Sequence, residues 1–410
     1  MKYERLTKLF YKLDDVAYRD EVIKRKNSYG SYSTSLMIRG FRKEHLTDDS
    51  FELFYVNTHD LMNLNNEVLL NSSKISSLIS KLPDFVVQPY FNKLIINEAQ
   101  SNNEIEGIRS TKKELKEALS ESELSEPKNK RFVGLMKTYH YIEKVKLFEN
   151  VQDFRTLYDN LVADEVKSAD APDGKMFRKG YVEVNDGNVT THIGISTEEK
   201  IIEALGALIK YLQDESHPAL YRYMVGHYYY EYIHPFYDGN GRTGRLIVGS
   251  YLSRYLDKYS AITFSYAVNK DKAKYYKALE EIPSPLNLGD MTFYLISMLE
   301  LLSTGQRGII EDLELNLMKL ERIKQYIQKE KWEKNKEERD LLYLMISINV
   351  FVDDQVILSV QELMRLSSKS RHIVNRVMDY LVQEGYVELV SKKPKAYKIC
   401  DDCLESILPS

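Results

Sequence analysis

The segment His234-Pro-Phe-Tyr-Asp-Gly-Asn-Gly-Arg-Thr-Gly-Arg245 gathers a base, a metal ligand, a flexible turn and two guanidinium groups in twelve consecutive residues. His234 is an imidazole that titrates near neutrality in water and accepts a proton from an attacking hydroxyl. Asp238 is a hard oxygen ligand suited to Mg²⁺, which bridges phosphate oxygens. Gly239-Asn240-Gly241 lets the backbone turn so that successive N–H groups converge. Before a helix N-terminus such a concavity takes an anion. Arg242 and Arg245 fall on one side of that helix, and each can fork a phosphate. Phe236 anchors the loop in the core. Singly these features are ordinary: His-Pro is usually structural, Gly-Asn-Gly is a common turn, and arginine pairs usually face solvent. Together they point to transfer chemistry on a polyphosphate.

The elements that must hold this segment are helical. Apolar residues recur at helical spacing almost throughout, as in Leu61, Leu64, Val68 and Leu69, or Leu205, Leu208, Ile209 and Leu212. The clearest strand signal is Tyr181-Val-Glu-Val184, then Asn185-Asp-Gly-Asn188, then Val189-Thr-Thr-His-Ile193, two alternating runs around an Asp-Gly turn. A mainly α architecture with one hairpin ahead of the central segment is expected. The polar stretch Ser120–Asn129 separates an N-terminal helical region (residues 1–120) from a central one (121–305). A charged connecting helix follows (306–338), with Leu313, Leu317, Leu320, Ile323 and Ile327 along one face. In the last region (339–400) helices are expected near Asp340–Ile348, Val360–Leu366 and Ser370–Glu384. Gly385 ends the third, and Tyr386–Val390 and Ala396–Ile399 form a short hairpin, the pattern of a winged helix-turn-helix.

Across its 410 residues the chain is 43% hydrophobic and 29% charged, the balance of a globular protein of two or three domains. A net charge of −4 argues against wholesale binding to nucleic acid or membrane surfaces. The start, Met-Lys-Tyr-Glu-Arg, has no apolar run of a signal peptide, and Leu341–Phe351 is too short to span a bilayer. Cys400 and Cys403 have no second pair to complete a zinc site and read as two reduced thiols. A cytoplasmic setting is expected.

The central segment resembles the Fic family motif H-P-F-x-[D/E]-G-N-G-R-x-x-R at every fixed position, and similarity extends over roughly residues 50 to 305. The resemblance implies a Fic helical core and transfer of AMP from ATP to a Tyr, Thr or Ser hydroxyl, with release of pyrophosphate. His234 would deprotonate the target hydroxyl, and Asp238 would hold Mg²⁺ or Mn²⁺ against the phosphates. The amides of Gly239, Asn240 and Gly241, with the Asn240 side chain, would form the anion hole. Arg242, Thr243, Gly244 and Arg245 complete the ATP-binding stretch, the arginines on the outer phosphates. The hairpin at 181–196 sits where Fic proteins carry a flap, with Ile193, Gly194, Ile195 and Ser196 laying out the target by strand pairing. Tyr275 and Tyr276 resemble a pair lining the adenosine pocket, and Pro283 stands where some relatives have Asn.

A brake is implied as well. Residues 95–110 resemble the inhibitory helix [S/T]-x-x-x-E-[G/N], with Glu106-Gly107 in place and Asn102 where Ser or Thr is usual. A carboxylate from Glu106 on Arg245 would occupy the fork needed by the γ-phosphate. Between Ser359 and Cys400 eight Lys/Arg stand against four Asp/Glu, and Arg371, His372, Arg376, Lys392, Lys393 and Lys395 suit phosphate contact by a winged helix. DNA and a second copy of the chain are therefore candidate partners beside ATP and a target protein. The alternatives are a relative that removes AMP or transfers another phosphate-containing group, and a DNA-binding regulator whose Fic region only senses nucleotide.

Overall fold

Two helices are buried along nearly their whole circumference, which marks the core of the unit they belong to. One, Ala219–Ile233, is the tyrosine-rich run, with Tyr221, Met224, Val225 and Tyr230 at 2% exposure or less. The other, Asn240–Leu252, is buried at each of its 13 positions. The computed structural model describes all residues except 1–2, 123, 125–130, 163–164, 188, 329–331, 333–334, 353–355 and 409–410. The Ser120–Asn129 separator, the tip of the 183–193 hairpin and the end of the charged stretch fall partly outside the described residues.

The chain divides into two units, residues 1–73 with 95–306, and residues 74–94 with 307–410. In the first unit α1 (Asp15–Lys26) leads into a long hairpin of β1 (Ser31–Arg42) and β2 (His45–Val56). Helices α2 (His59–Ile79) and α3 (Asp84–Ile105) follow, in this unit up to residue 73 and again from residue 95, then α4 (Lys112–Glu121), α5 (Val133–His140) and α6 (Gln152–Val162). The second hairpin is β3 (Glu183–Asp186) with β4 (Val189–Ile193), antiparallel as the Asp-Gly turn predicts. Then come α7 (Glu198–Gln213), the two central helices α8 (Ala219–Ile233) and α9 (Asn240–Leu252), α10 (Phe264–Lys270) and α11 (Lys272–Glu281).

The β1–β2 hairpin is a correction to the purely helical N-terminal region. Its two-residue turn is Lys43-Glu44, both at positive φ (50° and 65°) and neither a glycine. Sequence signals for such turns rest on Asn-Gly or Asp-Gly, so this one is silent. The alternation in β1, with Thr34, Leu36, Ile38 and Gly40 buried, runs unbroken through register shifts between Ser33 and Met37 and between Arg39 and Phe41.

The charged stretch is the tail of one 36-residue helix, α12 (Thr292–Ile327), so residue 306 lies within a helix rather than at its start. On its apolar face Leu313, Leu320 and Ile323 are fully buried. The second unit continues with α13 (Lys336–Val352), β5 (Leu358–Ser359), α14 (Val360–Ser367), α15 (Arg371–Gln383), β6 (Val387–Lys392), β7 (Lys395–Ile399) and α16 (Asp401–Ile407). The three expected helices and the hairpin are all present, with β5 added to give the order β5-β7-β6. Ser359 caps α14 in a reciprocal box with Glu362, and Gly385 (φ 77°) ends α15. Within this unit Phe85 and Tyr90 pack edge-on against Tyr343 and Phe351. Among the described residues no helix is long and apolar enough to cross a membrane.

Candidate active site

Helix α8 stops at His234 because the next residue is Pro235, which disfavours a helical conformation before it. His234 caps the helix in the left-handed region (φ 52°, ψ 63°), its N–H donating to the Tyr230 carbonyl at 3.1 Å. A non-glycine residue there costs on the order of 1 kcal/mol unless its surroundings hold it. Arg178 does so. Its Nε donates to the His234 carbonyl (2.7 Å), Nη2 to the Ile233 carbonyl (3.3 Å) and Nη1 to the Gly180 carbonyl (2.6 Å).

The loop beyond is pinned from inside. Phe236 is fully buried, stacked on Tyr158 at 3.6 Å between ring centres. Asn240 accepts from the Phe236 N–H (2.9 Å) and donates to the Phe236 carbonyl (2.7 Å). Its side chain therefore latches the loop; the anion site is left to backbone amides. Gly239 (φ 82°) makes the turn into α9.

His234 lines a cavity of about 140 Å³ together with Glu106, Glu231, Gly241, Arg245, Tyr275 and Tyr276. The expectation of a histidine titrating near neutrality needs correction. Burial, then the nearby His192 and Arg178, pull His234 down to about 3, so the ring is neutral at physiological pH. Its Nδ1 is buried without a hydrogen-bond partner. The His192 ring lies 6.1 Å away and is itself fixed by Nε2–H donating to the Tyr232 carbonyl (2.9 Å).

The two arginines of the motif part company. Arg242 turns to Glu165, Nη1 to Oε2 at 2.7 Å, and does not line the cavity. Arg245 faces the cavity and is held from the end of α3. Its Nε donates to Asn102 Oδ1 at 2.7 Å and its Nη2 to Glu106 Oε1 at 2.6 Å. Asn102 is fully buried and also donates to Tyr139 Oη (2.9 Å) and to the Arg242 carbonyl (3.2 Å). Glu106 sits just past the C-terminus of α3, where the helix dipole disfavours a carboxylate, and Gly107 (φ 70°) turns the chain away. A Cβ on Gly241 would fall 2.2 Å from Glu106 Oε1, so the carboxylate covers the first turn of α9.

The flap runs beside this centre. Ile195 N–H donates to the Ile233 carbonyl (3.2 Å), and a Cβ on Gly194 would lie 3.0 Å from His234 Cβ. Ile193 is buried and Ser196 exposed. Thr190 N–H, on β4, donates to Glu44 Oε2 of the β1–β2 turn at 3.1 Å. Tyr275 is buried, its hydroxyl hydrogen-bonded to His227 Nε2 (2.8 Å), while Tyr276 is 39% exposed. Pro283 also borders the cavity. Asp238 is exposed at the loop tip, and no group of three or more His, Cys, Asp or Glu among the described residues could hold a metal ion. One carboxylate fits a Mg²⁺ that arrives with a phosphate ligand and not a site that holds the ion alone.

Sequence reasoning did not single out Arg178, His192, His227 or Glu231. For Glu231 a signal existed: a lone carboxylate in the apolar run Tyr228-Tyr-Tyr-Glu-Tyr-Ile233, hence a buried charge.

A Fic family protein from Desulfovibrio desulfuricans shares 17% identity, covering 85% of this chain and 98% of that one with a TM-score of 0.50. Fic-1 from C. elegans shares 18% over 62% of this chain and 74% of that one, with a TM-score of 0.44. A Fic-domain-containing signalling protein from Bacteroides thetaiotaomicron shares 19% over 62% and 96%, with a TM-score of 0.40. At 17% identity the likeness to the Desulfovibrio desulfuricans protein is one of fold alone. No curated protein matches the chain significantly. The Fic/DOC family model matches residues 148–252, from before α6 to the end of α9, and the chain therefore carries a Fic/DOC family domain.

Proposed function

We propose that this chain transfers AMP from ATP to a protein hydroxyl, its own included. The observation that carries the reading is a neutral, half-buried His234 in one cavity with the first turn of α9 and Arg245. Fic proteins generally transfer nucleotidyl groups to proteins, which supports the same conclusion.

In this reading the triphosphate lies across the N-terminus of α9, whose free amides and dipole favour anions. His234 accepts the proton of the incoming hydroxyl, whose oxygen bonds to the α-phosphorus. The bond from that phosphorus to the bridging oxygen breaks, and pyrophosphate leaves with the electron pair. A neutral imidazole is the form that can take the proton. Arg178 keeps His234 in its left-handed kink, and Asn102 keeps Arg245 aimed at the outer phosphates. Arg242 joins the phosphates only by leaving Glu165. Asp238 would hold Mg²⁺, whose chemistry there is neutralisation of phosphate charge. The target backbone pairs with the edge of β4, which requires Glu44 to release the Thr190 amide.

Glu106 is the brake in this account. Its carboxylate holds the fork of Arg245 and covers the first turn of α9, so ATP enters without its productive pose. The cavity bordered by Glu106 is well below the roughly 300–1,000 Å³ of ordinary small-molecule sites. The test is substitution of His234 by Ala in the full chain, which should abolish AMP incorporation while ATP binding persists. Incorporation that survives His234→Ala would overturn the reading.

The C-terminal unit adds a proposed docking role as a winged helix-turn-helix. Arg371 and His372 at the start of α15, with Lys392 and Lys393 at the hairpin, are exposed and suit DNA phosphates. Arg376 and Lys395 are less available, paired with Glu337 and Asp379. Salt-sensitive retention of DNA by the full chain, lost on Lys392→Ala/Lys393→Ala, is the expected result. Absence of retention would leave protein docking or self-association as the role.

A further inference from the structure

The cavity has a second acidic wall that the AMP-transfer chemistry does not use. Glu231 sits on α8 one turn before His234 and lines the same cavity as Arg245 and Glu106. Its Oε1 is buried and has no hydrogen-bond partner. The space it occupies exists because residue 244 is a glycine: a Cβ there would fall 2.2 Å from that oxygen.

The surroundings oppose a negative charge at this point. Arg245 is the cation that acts on the group, yet its Nε and Nη2 already donate to Asn102 and Glu106. On its own helix Glu231 faces His227, whose Nδ1 is 3.8 Å from Oε1, together with Tyr230 and the neutral His234. His227 is also held neutral, pulled to about 3 by burial. From other elements come the carboxylate of Glu106, Tyr275 of α11, Tyr294 of α12 and, across the cavity, His192 of β4. Glu280 borders the same cavity.

We propose that Glu231 is a positioning residue that must carry a proton for the outer phosphates of a nucleoside triphosphate to engage Arg245. The proposal rests on the nucleotide reading above. Ionised, Glu231 is a bare carboxylate that draws the guanidinium of Arg245 and repels a phosphate placed beside it. Protonated, it no longer competes with a phosphate for Arg245 and presents an O–H that a phosphate oxygen can accept. Burial, with Glu106 adding to it and Arg245 opposing, raises its carboxyl to about 8, so the proton is in place at neutral pH. Binding of the triphosphate brings more negative charge and favours the protonated form further. Occupancy of the site is thereby linked to a proton that is not part of the transfer step.

The test is ATP binding to the full chain with Mg²⁺, measured by calorimetry between about pH 7 and about pH 9, where a terminal phosphate is already ionised. For a carboxyl at about 8, affinity should fall about tenfold across this range in the unmodified protein and under about twofold in Glu231→Gln. Calorimetry in buffers of different ionisation enthalpy should show uptake of nearly one proton on binding at about pH 9, and almost none at about pH 7. That second readout uses the unmodified chain and stands even where the Gln variant does not fold. Binding that takes up no proton at the higher pH, or an equal fall in both proteins, overturns the proposal while leaving the nucleotide site intact. No ATP binding at any pH overturns the nucleotide reading itself.

Discussion

Glu106→Gly removes a single contact whose size the structure bounds. The Arg245–Glu106 pair is 2.6 Å long, with Arg245 1% and Glu106 29% exposed at the side chain. A charge-assisted hydrogen bond is worth about 1.5–3 kcal/mol. The exposure of Glu106 keeps the pair short of the roughly 3–5 kcal/mol seen when a fully buried partner is removed. A value of about 2 kcal/mol is therefore reasonable, and it corresponds to about a 30-fold shift toward the state in which Arg245 is free. The backbone adds little, since the chain already turns out of α3 at Gly107. Initial rates of automodification at saturating ATP, followed as incorporation of labelled AMP, should rise about 30-fold in Glu106→Gly. Glu106→Gln, which keeps an acceptor and loses the charge, should fall between the variant and the parent. A rise below about threefold would show that the pair holds no more than an ordinary surface salt bridge, and the brake would be refuted.

Arg178→Ala should lower the transfer rate at least about tenfold with ATP affinity changed less than twofold, since the side chain holds the carbonyls around His234 and does not line the cavity. Arg178→Lys should not restore the rate, because one ammonium cannot span three acceptors; steady-state kinetics on both variants check this. Gly244→Ala should cost about 1–3 kcal/mol in urea unfolding, because its Cβ meets Glu231 Oε1, and Glu231→Ala in the same chain should recover part of that loss. Stability should decline on acidification through three imidazoles that the fold keeps neutral. His192, His227 and His234 are pulled to about 4, 3 and 3, against 6.5 for an ordinary histidine. The unfolded chain takes up these protons first, so stability is lost as pH falls below about 6.5, on the order of 2 kcal/mol per histidine at about pH 5. Unfolding curves of His192→Gln, with a shallower acid limb than the parent, report one of the three directly.

What was legible in the sequence is what is local. The His234–Arg245 segment carries its chemistry in consecutive residues, and the β3–β4 hairpin announces itself by Asp186-Gly187. The β1–β2 hairpin has an equally tight turn in Lys43-Glu44, but neither residue signals positive φ. The partition of the two arginines, one to Glu165 and one to Glu106, depends on helices brought together by folding and not on their spacing. Arg178 lies 56 residues from the carbonyl it holds, and nothing near it in sequence marks the role. The acidity of His234 has the same origin: burial and its neighbours set it, and both come from tertiary packing. Asn102 shows the intermediate case. The position was picked out by the motif, while its grip on Nε of Arg245 is visible only in three dimensions.

The central claim is that the group transferred is AMP and that His234 starts the transfer. Incubating the Glu106→Gly chain with ATP labelled at the α-phosphate, and separately at the γ-phosphate, decides it most directly. The account predicts label on a Tyr, Thr or Ser of the protein from the α position alone, lost entirely when His234→Ala is added. Label from the γ position, or α label that persists without His234, would contradict it.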